Sequence, residues 1–382
     1  MRLLSSTAAL VSVFAVAGCL HINAEDETLG QAQGRTEANA DGCFPETLSG
    51  EFALCLCENF DQVGRVRLLQ EVAGHPASLA VNGTTNLVAS TYVEGSWHAH
   101  RGVDAVATAD VRDDLITVRS FDFVGEQHIG GDLVVGGDLS GVGTIVVGGT
   151  VRVAGDTAVV GDKKAGAVGS YQSPGGAPCP CNGQSFFDVA TAVADARTHN
   201  DNVEIGQSPS GIANVGDTEI VLPAGRFYIE SMQAIGNLQV RATGQTALFI
   251  GGSLDVVGNQ RFSVAPDASL DLYVAGSVGT VGNVDMGNPN DPTAFRLFVG
   301  GGSSGIVSVG VQHFHGYIYA PTAAIDYVGD TTINGGLFAR ALDGVGDLTV
   351  RYYGPADTAE ETCEPVEEEP PPEEQDPCDP AQ

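Results

Sequence analysis

The sequence predicts an all-β chain wound into a parallel β-helix: a β-solenoid with a Gly-rich hexad front half, one inserted helix and a wider-coil second half. Three observations predict it. A small residue recurs every six positions, with Gly125, Gly131, Gly137, Gly143, Gly149, Gly155 and Gly161 on one register. Alternate residues between these markers are apolar, as a strand buried on one face requires. Past residue 204, the apolar cores ALFIGG, DLYVAG, RLFVGG, YIYAP and LFARAL centre on Phe249, Tyr273, Phe298, Tyr319 and Phe338, at spacings of 24, 25, 21 and 19. Short strands repeated at fixed period bury their inner faces only by stacking on the next coil. The composition agrees, with 51 glycines among 382 residues and only 17% charged residues. A net charge of −31 excludes nucleic acid as a partner, because 17 scattered Lys and Arg make no basic patch.

Residues 1–18 read as an export signal, with Arg2, an apolar run from Ala8 to Ala17, and then Gly18 before Cys19. The run is too short to span a bilayer as a mature helix. Val16-Ala17-Gly18-Cys19 resembles the lipobox of bacterial lipoproteins, which implies that Cys19 carries the lipid. Leu20 beside it resembles the pattern sorted to the outer membrane, on its periplasmic face or at the cell surface. Residues 19–42 are polar and aperiodic, a flexible tether. Residues 43–77 hold Cys43, Cys55 and Cys57 and one apolar run, VGRVRLLQEV, expected to cap the first coil as a strand or short helix.

The hexad solenoid spans 78–168. Counting back by sixes from Gly125 lands on Arg119, Asp113, Ala107, Arg101, Gly95, Ala89 and Gly83. Four residues after each marker, from Leu87 to Ala165, every residue except Thr117 and Gly141 is apolar. Three hexads per triangular coil make four to five coils, or roughly 20 Å at ~4.8 Å per coil. The spacing leaves the handedness open. Its glycine spelling resembles the bactofilin group of polymer-forming cytoskeletal proteins, which implies solenoids stacked end to end; that group lacks a long second half like the one here. Residues 169–203 hold a Cys-Pro-Cys loop and a helix, with Ser185 as N-cap and Phe186, Val189, Ala190, Val193 and Ala196 on one face. Residues 204–354 form the second β-helix section, in which MGNPNDPTA is expected to leave the coil as a loop. Glycines recur there too, at Gly258, Gly282, Gly310, Gly329 and Gly346. Residues 355–382 are an acidic, Pro-rich tail, expected to stay solvated and shield the last coil's edge.

The order PCPC, FFDVATAVA, HNDN, GRFYI, ALFIGGSLDV, LDLYVAG, FRLFVGG, GYIYAPTAAI, GGLFARAL and DLTVRYYG resembles an uncharacterised β-solenoid domain of bacterial surface lipoproteins, related to one appended to pilus-associated proteins. The resemblance runs from Cys179 to Tyr353. It implies a parallel β-helix in the cell envelope and assigns no catalytic residue.

Seven cysteines besides Cys19 are disulfide candidates in an oxidising compartment: Cys43, Cys55, Cys57, Cys179, Cys181, Cys363 and Cys378. A local Cys363–Cys378 pair leaves five, which cannot all pair. Linking Cys55 or Cys57 to Cys179 or Cys181 would join segments that flank the hexad block, provided that Gly166–Pro178 runs back along the solenoid. The two C-x-C pairs are the alternative, a thiolate zinc site, although zinc favours C-x-x-C. His98 with His100 and His313 with His315 place two rings on one side of a strand, with Phe314 pointing inward. Gly301–Gly305 spells G-x-S-x-G without the following helix that a nucleophile elbow needs. Asp132, Asp138, Asp156 and Asp162 follow glycines as turn residues expected to bond their own backbone, and Asn82-Gly83-Thr84 is a formal glycosylation sequon.

No cofactor, metal site or convergent catalytic set emerges. The expected function is a non-enzymatic, lipid-anchored cell-envelope protein, a structural, adhesive or assembly scaffold. Its partners are the membrane, through the N-terminal lipid, and envelope or matrix polysaccharide or another surface protein. One alternative is a carbohydrate-active β-helix enzyme, a polysaccharide lyase or hydrolase using Asp255, Asp271, Arg296, Asp326 and Arg340. The other is a bactofilin-like polymer, which needs uncapped terminal coils.

Overall fold

The computed structural model describes residues 52–183, 186–301 and 305–355, all within one compact unit. It is 57% strand, a parallel sheet wound into a β-solenoid of about 13 turns. At ~4.8 Å per turn the stack is about 60 Å long. Each coil has three faces, exemplified by the strands Leu54–Leu56, Phe60–Val63 and Val66–Gln70. In the hexad block the same face recurs every 18 residues, as Leu79↔Trp97, Trp97↔Leu115 and Leu115↔Leu133. Three hexads therefore make one coil.

The inner rows form a continuous apolar core with Trp97, Phe121, Phe262 and Phe295 among its largest members. Val135 and Val147 are buried as the hexad register requires, whereas Val153 and Val159 are only partly buried. These two stand in the terminal coil, where no further coil covers them among the described residues. Of the hexad glycines in this section, only Gly125, Gly143 and Gly161 have positive φ, at 118°, 138° and 134°. They form the corner between the second and third faces. There a Cβ on Gly143 would sit 2.0 Å from Gly125 O, so stacking itself demands glycine.

The order of coils in space is not the order in sequence. Leu54 pairs on one side with Leu79 and on the other with Leu337. Phe60 pairs likewise with Thr85 and Leu342, and Val66 with Thr91 and Leu348. Residues 54–70 are therefore an internal coil, in place of the end cap expected over 43–77. The second section does not continue beyond the hexad block but stacks on the opposite side of this coil. Its last strand, Leu348–Tyr352, has no free edge for the acidic tail to shield, because Val66–Gln70 covers it. The described chain runs from the waist to Val168 at one end, returns along the side, re-enters at Ile212 and winds back to the waist.

Residues 169–211 are the returning strap, and they lie on the first face. There the outward residues Tyr228, Phe249, Tyr273, Phe298, Tyr319 and Phe338 form a ladder, with Phe249–Tyr273 and Tyr273–Phe298 stacked at 4.7 and 4.5 Å. The strap converts this outward row into a second core. Phe187 packs on Tyr273 and Phe298 and donates its N–H to Tyr319 Oη at 3.0 Å. The helix α1, Val189–Ala196, buries Val189, Val193 and Ala196 while Ala190 faces solvent. Its N-cap is Asp188, whose carboxylate accepts from Thr191 N at 3.0 Å, in place of the expected Ser185, which lies outside the described residues. Asn202 ends the strap as a surrogate strand: its amide donates to Tyr228 O and accepts from Tyr228 N, covering the edge of Gly225–Ile229. The sequence MGNPNDPTA leaves the coil as expected, with one short turn at Pro292–Ala294.

Candidate functional site

Among the cysteines, the structure joins Cys55 to Cys179 and Cys57 to Cys181, with Cα separations of 5.8 and 5.5 Å. Both bonds staple the strap to the waist coil. Cys19, Cys43, Cys363 and Cys378 lie outside the described residues. Asn82 takes part in the same attachment: its side chain donates to Cys179 O and accepts from Cys179 N, both at 2.9 Å. The sequon asparagine is thus committed to the strap.

Two of the aspartates after the hexad glycines, Asp132 and Asp138, bond the next coil rather than their own backbone. Asp132 Oδ1 accepts from Thr150 N at 2.6 Å, and Asp138 Oδ1 from Asp156 N at 2.8 Å. Arg152 pairs with Asp132 at 2.6 Å, and its hydrogen bond holds that carboxyl below the usual range.

The histidine pairs remain pairs. His98 is half-buried against Phe52, and burial pushes its pKa down against the pull of Asp114. His313 and His315 stack at 6.5 Å with Phe314 buried between them, and His315 Nδ1 meets Asn334 at 2.7 Å. Burial lowers the His315 pKa. Among the described residues no three His, Cys, Asp or Glu side chains converge as a metal site.

The set Asp255, Asp271, Arg296, Asp326 and Arg340 is scattered. Asp271 and Arg296 form a bidentate pair, 2.6 Å on each arm, buried on the first face. Arg340 pairs with Glu58 at 3.0 Å, while Asp255 and Asp326 face outward from the second face. The G-x-S-x-G residues 302–304 lie outside the described residues.

A different constellation does form. The outward row of the second face runs Asp326, Asp343, Asp61, Asn86, Asp104, Asp122, Ser140, each paired in register with the next across the waist. Asn86 donates to Asp61, and the Ser140 hydroxyl to Asp122. Burial, and then the neighbouring carboxylate, raises the pKa of Asp104 beside Asp122 and of Asp326 beside Asp343. Parallel to this row runs an exposed line of valines, including Val345, Val63, Val88, Val106, Val124 and Val142.

Where the aspartate row meets the strap, the corner between the first and second faces opens into a groove of about 1140 Å³. Cys57 and Cys181 close one end, and His100, Arg101, Arg119, Asp104, Asp122 and Asp138 line it. Arg101 and Arg119 occupy the same corner on successive coils, their side chains exposed. Neither guanidinium has an ion-pair or hydrogen-bond partner among the described residues. His100 Nδ1 is buried and also lacks one.

Residues 182–355 match a protein family described as a domain of unknown function (DUF7305). The match covers the whole helix and the whole second section and stops short of the hexad block that forms the groove. No curated protein and no solved structure matches the chain.

Proposed function

We propose that this protein is a non-enzymatic, lipid-anchored scaffold of the cell envelope, tethered by its waist to the outer membrane. The observation that carries the reading is that the first described strand, Leu54–Leu56, and the last, Leu348–Tyr352, lie in adjoining coils at the middle of the stack. A tether running from Cys19 through residues 19–42 would hold such a rod at its centre and leave both arms free to meet matrix or a surface protein. This differs from a stalk in which one half lifts the other off the membrane. The staples Cys55–Cys179 and Cys57–Cys181 suit an oxidising compartment and lie beside the same waist. Metabolic labelling with a fatty-acid analogue tests the anchor: the wild-type chain is expected to take up label and fractionate with outer membrane, and Cys19→Ser to lose both. A labelled Cys19→Ser variant, or a soluble wild-type chain, overturns the reading.

One observation favours the polymer alternative. The coil ending at Val168 is open among the described residues, with Val160 and Val168 70% and 85% exposed. Electron microscopy of the purified chain separates the readings: single rods of about 60 Å support the scaffold, and filaments support the polymer.

A further inference from the structure

We propose that the corner groove at Arg101 and Arg119 is a binding site for a neutral, polyhydroxylated polymer, a linear glycan lying along the solenoid axis with one sugar per coil. The site rests on the scaffold reading only in treating the groove as one that retains its ligand rather than cutting it.

The ligand class follows from what the groove offers. Arg101 and Arg119 supply a row of donors, one per coil. Asp104 and Asp122 supply a row of acceptors at the same pitch. The two rows do not neutralise each other: no ion pair joins either arginine to either aspartate. Every other arginine that lies near an acid on the outer surface of this solenoid tends to be paired with it, as in Arg112–Glu94, Arg152–Asp132, Arg340–Glu58 and Arg351–Glu71. In the groove the two guanidinium groups and the carboxylates stand apart, and each aspartate keeps acceptor capacity beyond the bonds that Asp122 takes from Ser140 and Asp138 from Asp156 N.

A polyanion entering it meets the row of Asp104, Asp122 and Asp138, and a polycation meets the arginines. A chain of vicinal diols carries donors and acceptors together on each unit, so it satisfies both rows without a charge penalty. The pitch fits as well, because the ~4.8 Å rung spacing is about the advance of one sugar ring along an extended glycan. A volume of about 1140 Å³ holds several such units. His100, with its buried Nδ1 unpartnered, borders the same floor.

The test uses the full chain in detergent on an array of linear neutral oligosaccharides, with a polyuronate hexamer and oligolysine as charged counterparts. Hits are then measured by calorimetry for wild type, Arg119→Gln and Asp122→Asn. At least one neutral glycan is expected to bind, each variant to weaken it about tenfold or more with no fall in melting temperature, and affinity to hold between low and high salt. The site is overturned if no neutral glycan binds, if only charged polymers bind, if affinity collapses with salt, or if both variants bind as wild type. Chromatography of the recovered glycan separates the two readings. A shortened glycan overturns the non-enzymatic function and keeps the site, and absence of binding overturns the site and leaves the scaffold.

Discussion

Tyr327 donates its hydroxyl to the side-chain oxygen of Gln62 at 2.5 Å, a bond inside the core between residues 265 apart in sequence. The bond passes over Gly344, where a Cβ would lie 2.1 Å from Gln62 Oε1 and 2.4 Å from the Tyr327 ring. Gln62 passes the bond on, donating to Gly346 O at 2.6 Å. The waist joint between the first and last described coils is thus bridged by a polar relay in an interior that is mainly apolar but also buries Gln127, Gln260 and Gln312. Tyr327→Phe leaves a buried carbonyl oxygen of Gln62 without its donor, a cost of about 1–3 kcal/mol. In a stack whose stability is a sum over neighbouring coils, that loss falls on the interface where the two windings meet, which the strap alone spans covalently. Denaturant unfolding followed by circular dichroism is expected to show a lower midpoint and a broadened or split transition as the arms uncouple. An unchanged single transition would mean that the joint does not depend on the relay.

The two staples are redundant, because each closes a loop with a sequence separation of 124. Either one alone contributes up to about 5 kcal/mol in a chain-entropy account. Once one has formed, the other closes only the short loops between the two bonds, so its added entropy is small. The double variant Cys57→Ser/Cys181→Ser is therefore expected to melt within a few degrees of wild type. Cys55→Ser/Cys57→Ser is expected to melt much lower and to become sensitive to proteolysis between residues 169 and 186. Equal melting of the two double variants would show that loop closure is not what the staples supply.

Much of the fold is legible in the residues, and the joint is not. Hexad spacing and alternation specify the coil because each inner residue is judged against its own strand. Val-Gly recurs at the same corner in both sections, as Val257-Gly258, Val281-Gly282, Val345-Gly346, Val63-Gly64, Val124-Gly125 and Val142-Gly143. That dipeptide is the signal that residues 54–70 belong inside the stack. Which neighbour LCL takes is another matter: LAV at 79 and LFA at 337 are equally good apolar partners, and it pairs with both. The strap hid for a related reason. Phe249 and Tyr273 read as centres of buried strands, and they are buried, but outside the solenoid and under another segment. The groove left a trace too. Arg101 and Arg119 stand on the hexad register one coil apart, and that offset alone puts them side by side; what sequence could not show is that the strap turns the corner into a groove.

The aspartate row makes stability depend on acidity in a defined sense. Burial and Asp122 raise the folded-state pKa of Asp104 above its unfolded value. The charged carboxylate is therefore disfavoured in the folded chain above that folded pKa, and the penalty is relieved as the pH falls through the window between the folded and unfolded values. Asp104→Asn removes the charge at every pH. It is expected to raise the melting temperature at pH 7, with the gain shrinking toward zero as the pH falls below the unfolded pKa. A difference that is flat with pH would show that packing or hydrogen bonding, not charge, accounts for the effect.

Ala107 stands at φ 100°, in a column built mostly from glycines of positive φ such as Gly64, Gly125, Gly143 and Gly161. The coil stacked on it shows what that column tolerates: a Cβ on Gly125 would lie 2.3 Å from Ala107 O. Contact with the backbone of the coil below excludes side chains along most of the column. At Ala107 the coil below has Ala89 in the equivalent place, which is not among the residues of positive φ, so one methyl group is accepted there in a strained conformation. Two substitutions therefore move stability in opposite directions, against the usual rule that glycine weakens a strand. Gly143→Ala adds both the strain and a backbone clash and is expected to cost at least about 3 kcal/mol. Ala107→Gly releases strain at the price of unfolded-state entropy and is expected to be neutral to stabilising by up to about 1 kcal/mol. Gly176→Ala, on the strap with open space around it, is the control that should change little. If Ala107→Gly destabilises as much as glycine does in an ordinary strand, the methyl group is packing productively and the column is not under strain.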